Sequence, residues 1–567
     1  MNSSKYPSDI KKITSSLFAS WFLFVLSLSM RVGAAEYYVS TTGNDAAAGT
    51  VGAPWASFSK AVSVVVAGDT VTIRGGSYGE KLLFNGLTGT ALSPIIFRNF
   101  TGETVEINGG SLTVPAGSGR DGLVVIQNSN YVTLKGIKVK NYKTSNRSAV
   151  PVGIQIEGAC EGVTVSGCTV TEIWQNSTNQ NANGFGISIY GTSLTAPING
   201  LILEGNTVHN LRTGQSESVA LNGNVTNFKV IKNHVYDCNN IGIDFIGYED
   251  TVSDPLLNRA RNGVCSENVV HNIDSAFNPG YGGGFTTGGG DRSAAGIYVD
   301  GGHNIVIERN HVYKCNFGIE LASEDENGFT ENIAMRNNII HHNLSAGIIM
   351  GGYDEERGVT RNCQVLNNTL YHNDTLNGFS GEVTFQFYLE NNTFKNNIIW
   401  VNPETNHAMV HFVTSGAAAQ RKFDVVTNNF DYNLYYSTGN EADLTFGLNL
   451  TGNSNASFSG LAEWKTALGG SATGDADASH FTNPGFVTAL PGATPSVDDF
   501  RLSATSSAVN AGEPAPGYTP VAGEKDIGGV SRVASARVDA GCYEYLSPFQ
   551  IWRDTHFELP DGDGTSA

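Results

Sequence analysis

The sequence predicts an all-β chain wound as a parallel β-helix, and three observations carry that expectation. Short segments aligned on one Asn recur along the middle of the chain. Apolar strands of period two alternate with them. The composition, rich in Gly with only 15% charged residues, favours short strands and turns over helices.

Composition also bounds the function. About 25% charge is usual for a soluble domain, and the lower value here comes with 40% apolar residues, enough for a core and too many for global disorder. The 34 basic residues against 53 acidic leave a net charge of −19 without any basic block. Such a chain is a poor electrostatic match to nucleic acid or to an anionic membrane. Neither is expected as a partner.

The first element, residues 1–35, reads as a signal peptide. Lys5, Lys11 and Lys12 precede a largely apolar run from Leu17 to Met30, and Gly33-Ala34-Ala35 offers small residues for cleavage. The run is shorter than the roughly 20 residues that span a bilayer. The mature chain is therefore expected to be secreted (extracellular, periplasmic or cell-surface) with no membrane contact afterwards, and to act as a monomer.

Residues 111–480 carry the repeats. EGNTV, IKNHV, SENVV, ERNHV, RNNII, LNNTL and KNNII share Asn206, Asn233, Asn268, Asn310, Asn338, Asn368 and Asn397. Their spacings of 27, 35, 42, 28, 30 and 29 describe a fixed rung with loops of variable length. Cys168 occupies the same slot one unit earlier. Between them lie VGIQIEG, FGISIYG, SVALNG, IGIDFIG, AGIYVDG, FGIELAS and AGIIMGG, each alternating apolar and variable positions. Stacked rungs about 4.8 Å apart would bury the Val and Ile inside and let the Asn side chains bond along the stack. No LxxLxL pattern supports a leucine-rich repeat.

The flanks complete the division. In residues 36–110, YYVSTTGND, PWASFSKAV, GDTVTIRGGSY and PIIFRN resemble the opening of many exported right-handed β-helix proteins, with Pro54 to Val66 as a short capping helix. In residues 481–546, NPGF, DFRL, AVNAG, DIGG and VDAGCYEY resemble their C-terminal closing segment. The resemblance is to the pectate-lyase-like superfamily and covers nearly the whole mature chain. It implies a right-handed helix and a carbohydrate-active protein, but not one reaction, since that fold hosts lyases, hydrolases, epimerases and adhesins. Residues 547–567 read as a disordered tail or linker; Asp561 to Gly564 resembles part of a calcium loop without its closing carboxylate.

Seven cysteines with no CxxC read mostly as core thiols. His209, His234, His271, His311, His341, His342 and His372 fall beside the Asn bends, and no HExxH spacing marks a zinc site.

Chemistry is expected on the outward positions of the alternating strands. Rung by rung these are Gln155 and Glu157, Ser188 and Tyr190, Ala220 and Asn222, Asp244 and Ile246, Tyr298 and Asp300, Glu320 and Ala322, then Ile349 and Gly351. Three consecutive rungs thus place Asp244, Asp300 and Glu320 on one face, with diagonal Cα separations of roughly 8 Å. Side-chain reach brings such pairs to about 5–9 Å, the range for two carboxylates flanking a glycosidic bond. Outward acids on a strand are ordinarily just solvated, but Asp is disfavoured there and stacked like charges repel.

Long insertions fall at the same rungs, where binding residues concentrate. They supply Arg259, Arg261 and Arg292 for anionic sugar groups, Tyr248, Tyr281 and Tyr298 (with Tyr190 on its own strand) for stacking, and Glu324 in SEDENGF for substrate contact. Each of these has an ordinary loop-packing role as its alternative.

Three functions remain open. Hydrolysis by a carboxylate pair leads, similar to the paired acids of some β-helix β-xylosidases and lacto-N-biosidases. Elimination on a uronate polysaccharide follows, with calcium held by the three acids, although no Lys occupies an outward position on these rungs and the DPHD motif of β-helix epimerases is absent. A non-catalytic carbohydrate-binding protein is the third. The expected partner is a polysaccharide or oligosaccharide, with no obligatory cofactor.

Overall fold

In the computed structural model, residues 33–557 are described, apart from 355, 379, 412–427, 449–455, 468–477, 489–494, 516 and 533–536. The expected signal peptide lies almost wholly outside the described residues, as does Asp561 to Gly564. Three parallel sheets wind around one continuous apolar core. A representative rung runs Phe185–Gly191, Ile202–Glu204 and Thr207–Leu211, then returns to the first sheet at Val219–Gly223. Ile187, Ile189, Leu203, Val208 and Leu221 point inward and are buried, as the period-two pattern requires.

The corner between the second and third strands explains the recurring Asn. The preceding residue is left-handed, with φ of 58° at Asn337, 56° at Asn367 and 60° at Asn396. Asn tolerates that region better than most residues, which accounts for the Asn-Asn dipeptides. The ladder Asn then turns inward. Asn206 donates from its backbone N and from Nδ2 to Asn233 Oδ1, at 3.0 and 2.9 Å, while Nδ2 also donates to the Val165 carbonyl. Asn233 repeats the pattern on Asn268, and the ladder continues through Asn310, Asn338, Asn368 and Asn397 to Asn433. Cys168 begins it by donating its N–H to Asn206. A second ladder, Asn343 to Asn373, ends on the buried Glu382.

Every polar atom of these buried amides is therefore paired. Asn233→Ala or Asn310→Ala should strand backbone donors and acceptors and cost about 1–3 kcal/mol, read as a lowered melting temperature with activity otherwise intact. Unchanged melting in both variants would contradict the ladder.

The histidines form a second stack on the outer face of the third sheet. His271 stacks on Tyr236 and Tyr313, and Tyr313 on His341. His311 Nε2 lies 2.8 Å from His341 Nε2. Burial holds His311 down to about 4 and His341 well below the ordinary value. A buried neutral His stabilises the fold above the unfolded value of about 6.5, and that contribution is lost as pH falls from there towards about 4. His311→Phe should therefore gain stability relative to wild type as pH is lowered through this window. A pH-independent difference in melting temperature would contradict that.

All seven cysteines are buried and unpaired. The opening of the helix is capped by Phe58–Val64, with Ser57 as N-cap. At the other end the structure departs from the sequence reading. The helix Gly460–Ala467 seals the core there, with Trp464 stacked 4.8 Å from Phe446. The expected closing segment instead runs back along the third sheet, packing Phe500, Leu502, Cys542 and Tyr543 on Ile339, Tyr371, Ile398 and Leu434. The outer face of those rungs is apolar and needs a cover. Arg532, fully buried, locks the segment in place by donating to Asn337 Oδ1. Part of the expected tail is likewise a helix, Pro548–Phe557.

Candidate functional site

The strand Ile243–Ile246 lies between Val219–Gly223 and Ala295–Asp300, and Phe317–Ala322 follows. Asp244 pairs opposite Tyr298, Tyr298 opposite Glu320, and Asp300 opposite Ala322. The diagonal arrangement of the three acids therefore exists as the spacing implied. Their environment does not match simple solvation: Asp244 is 2% exposed, Asp300 4% and Glu320 8%. Residues 247–258 and 323–328 extend from one end of these strands, and 274–294 lead into the other.

Between these loops lies a cavity of about 250 Å³, lined by Gln215, Glu217, Ile241, Asp244, Ile246, Glu249, Tyr281, Asp300 and Glu324. Asp244 and Asp300 form its buried floor, Glu217 is half-buried, and Glu249 and Glu324 open to solvent at the rim. Glu324 donates its backbone N–H to Asp300 Oδ1 at 2.7 Å, fixing that carboxylate. Asp244 Oδ1 has no hydrogen-bond partner, nor does the Ser188 hydroxyl two rungs away. Glu249 is held by Asn222 Nδ2 at 3.2 Å. Beside the cavity, Ile246 and Ala220 join Val152 and Phe185 in a small apolar patch edged by Tyr190, whose ring carries the Arg120 guanidinium at 3.5 Å.

The electrostatics are dominated by burial and like charge. Burial, then the neighbouring carboxylates, push Asp244 and Asp300 well above the usual carboxylate range. Burial and then Glu249 raise Glu217 to about 8, and burial and then Glu324 raise Glu320 to about 8. Glu249 and Glu324 are raised too, because their surroundings are dense even though their side chains reach water. No Lys, Arg or His lines the cavity among the described residues. The cluster therefore keeps protons near neutrality, and its members titrate together.

The other residues singled out by sequence are distributed differently. Glu324 reaches the cavity; Glu320 sits near it without lining it. Tyr298 belongs to the apolar core and has no free ring face for stacking. Tyr248 accepts from Arg259 Nη1 at 2.9 Å in a neighbouring pocket, where Arg259 also pairs with Glu331 at 3.0 Å. Arg261 donates to the Leu257 and Arg259 carbonyls and to Asn224 Oδ1, so it pins the loop. Arg292 pairs with Asp274 at 3.4 Å on a different face. That face carries a larger groove of about 750 Å³, with Arg212, Phe285 and Lys314 in its lining. Its two acids, Asp237 and Asp274, are occupied by Asn272 and by Arg292 and Asn316.

Sequence reasoning missed Glu217, Glu249 and Gln215. One signal existed for Glu217. It fills a column occupied elsewhere by Val152, Phe185, Ile241, Ala295 and Phe317, and is the one charge in that set. As a test for calcium, among the described residues no three His, Cys, Asp or Glu side chains converge as a metal-ligand group.

The family model of the Pel9A-like, right handed beta helix region matches residues 37–347, and that of the right handed beta helix region matches 291–460. The uncharacterized protein YwoF of Bacillus subtilis (strain 168) is 36% identical over 379 residues, 67% of this chain and 77% of that protein. Pectate lyase PEL9 of Emericella nidulans is 42% identical over 80 residues, 14% of this chain and 20% of that protein. The crystal structure of pectate lyase Pel9A aligns over 90% of this chain and 96% of that one, with 13% identity and a TM-score of 0.38.

Proposed function

Because the chain belongs to the Pel9A-like right-handed β-helix family, we propose that it is an exported carbohydrate-active enzyme that cleaves glycosidic bonds by carboxylate-pair hydrolysis. The observation that supports hydrolysis is the proton-holding acid cavity with Asp244 and Asp300 on its floor. Hydrolysis needs one carboxylic acid to protonate the leaving oxygen and one carboxylate to attack the sugar carbon or activate water. Asp300 accepts a backbone N–H, which favours its ionised form. It is assigned as nucleophile or base. Asp244 has no such donor on Oδ1 and is pushed up by burial and by Glu217, so it is assigned as general acid.

The alkaline limb of activity follows from this. The acid works only while protonated, so kcat/KM should fall once pH rises past the point at which Asp244, held well above the usual carboxylate range by burial and then Glu217, loses its proton. A rate that still climbs beyond that pH would instead mark catalysis by an ionised base.

The relative named pectate lyase PEL9 favours a second reading, β-elimination on a uronate polymer. A panel of polysaccharides separates the two. New reducing ends on saturated sugars support hydrolysis; absorbance from unsaturated uronate products supports elimination; neither product on any substrate leaves a binding protein.

A further inference from the structure

The groove of about 750 Å³ on the third sheet has no part in the reaction assigned to the acid cavity, and its size is that of a ligand site. The segment 274–294 lies between the two: Tyr281 lines the cavity, whereas Asp274, Phe277 and Phe285 line the groove. Arg212 and Lys314 line it too, and neither has a carboxylate partner among the described residues. The Arg212 guanidinium sits 4.3 Å from the Trp174 ring and 4.5 Å from the Phe285 ring, and its Nη1 donates to Asn176 Oδ1 at 2.7 Å. Those contacts hold the guanidinium in place and leave Nε and Nη2 without a hydrogen bond to any described residue. Lys314 makes neither a hydrogen bond nor an ion pair among the described residues, and its charge is felt at His342, which burial and then Lys314 push down to about 4. Opposing charge is limited. Asp274 pairs with Arg292 and accepts from Asn316, and Asp237 accepts from Asn272. Phe277 adds an apolar ring that is 40% exposed.

Fixed cations beside open ring faces match one ligand chemistry. Carboxylate or sulfate oxygens accept from a guanidinium and an ammonium, and the C–H face of a sugar ring packs on an aromatic ring. A neutral glycan would use the rings and leave the cations to water; a bare anion would do the reverse. We propose that this groove is a second carbohydrate-binding site, which takes a stretch of anionic sugar chain with its charged groups on Arg212 and Lys314 and a ring against Phe277. It holds polymer without cleaving it, and it stands whichever reaction the acid cavity performs.

Calorimetric titration of the full-length protein with trigalacturonate, sulfated galactotriose and neutral galactotriose tests this. At least one of the charged trisaccharides should bind about tenfold tighter than the neutral one or more, and the one that does so identifies the anion as carboxylate or sulfate. Arg212→Gln combined with Lys314→Asn should abolish that preference; Asn suits the left-handed φ of 54° at Lys314. Lys314→Asn alone serves if the double variant does not fold, and should weaken binding of the charged trisaccharide by about threefold or more. Turnover of a short oligosaccharide that the parent cleaves should be the same in these variants, which separates the groove from the acid cavity. Equal binding of all three sugars, an unchanged preference in the folded variants, or a loss of turnover on the short substrate that matches the loss of binding would overturn the proposal.

Discussion

Asp300→Asn is expected to leave folding intact while lowering turnover by about a thousandfold or more. The replacement is nearly isosteric, and its side-chain oxygen still accepts the Glu324 N–H that fixes the native carboxylate. Removing a carboxyl from a cluster held up by mutual repulsion should not destabilise the fold. What disappears is the ionisable group itself. Loss should therefore fall on kcat, with KM little changed. Azide restoring turnover to Asp300→Ala would mark Asp300 as the nucleophile or base. Wild-type turnover by Asp300→Asn, on a substrate the parent cleaves, would remove Asp300 from the chemistry.

Asp244→Asn and Glu320→Gln should then separate. Asp244 lines the cavity with a free, buried oxygen, so its loss removes the assigned acid and should cost about 10²–10⁴ in rate. Glu320 lies one rung beyond Tyr298 and does not reach the cavity, so its neutral replacement should be mild. Substrates with leaving groups that need no proton should recover much of the Asp244→Asn loss and none of the Asp300→Asn loss. Equal losses in Asp244→Asn and Glu320→Gln would mean that the assignment of the acid is wrong.

The parts of this site written into the repeat could be read from sequence. A ladder Asn fixes where each rung turns, and strand alternation then fixes which side chains face out. The register of Asp244 on Tyr298 and of Tyr298 on Glu320 follows directly from those two facts. What lies between repeats was less legible. Glu249 and Glu324 come from loops of irregular length, and only their folding back brings them to the rim. The same loops turn outward positions into buried ones, which a periodicity of two cannot reveal. Arg259 and Arg261 were reasonable sugar ligands by residue type, yet their guanidiniums meet Glu331, Tyr248 and backbone carbonyls of their own loop. The capping helix Gly460–Ala467 carried no repeat signal, because it ends the pattern instead of continuing it.

Cleavage in water labelled with heavy oxygen tests carboxylate-pair hydrolysis most directly. Hydrolysis transfers a water oxygen to the new sugar end, whereas elimination breaks the bond without consuming water. On any substrate the protein cleaves, mass spectrometry should find one labelled oxygen incorporated per bond broken, before any exchange at the reducing end. Products that carry no label and contain a double bond would contradict hydrolysis and assign the acid cavity to elimination.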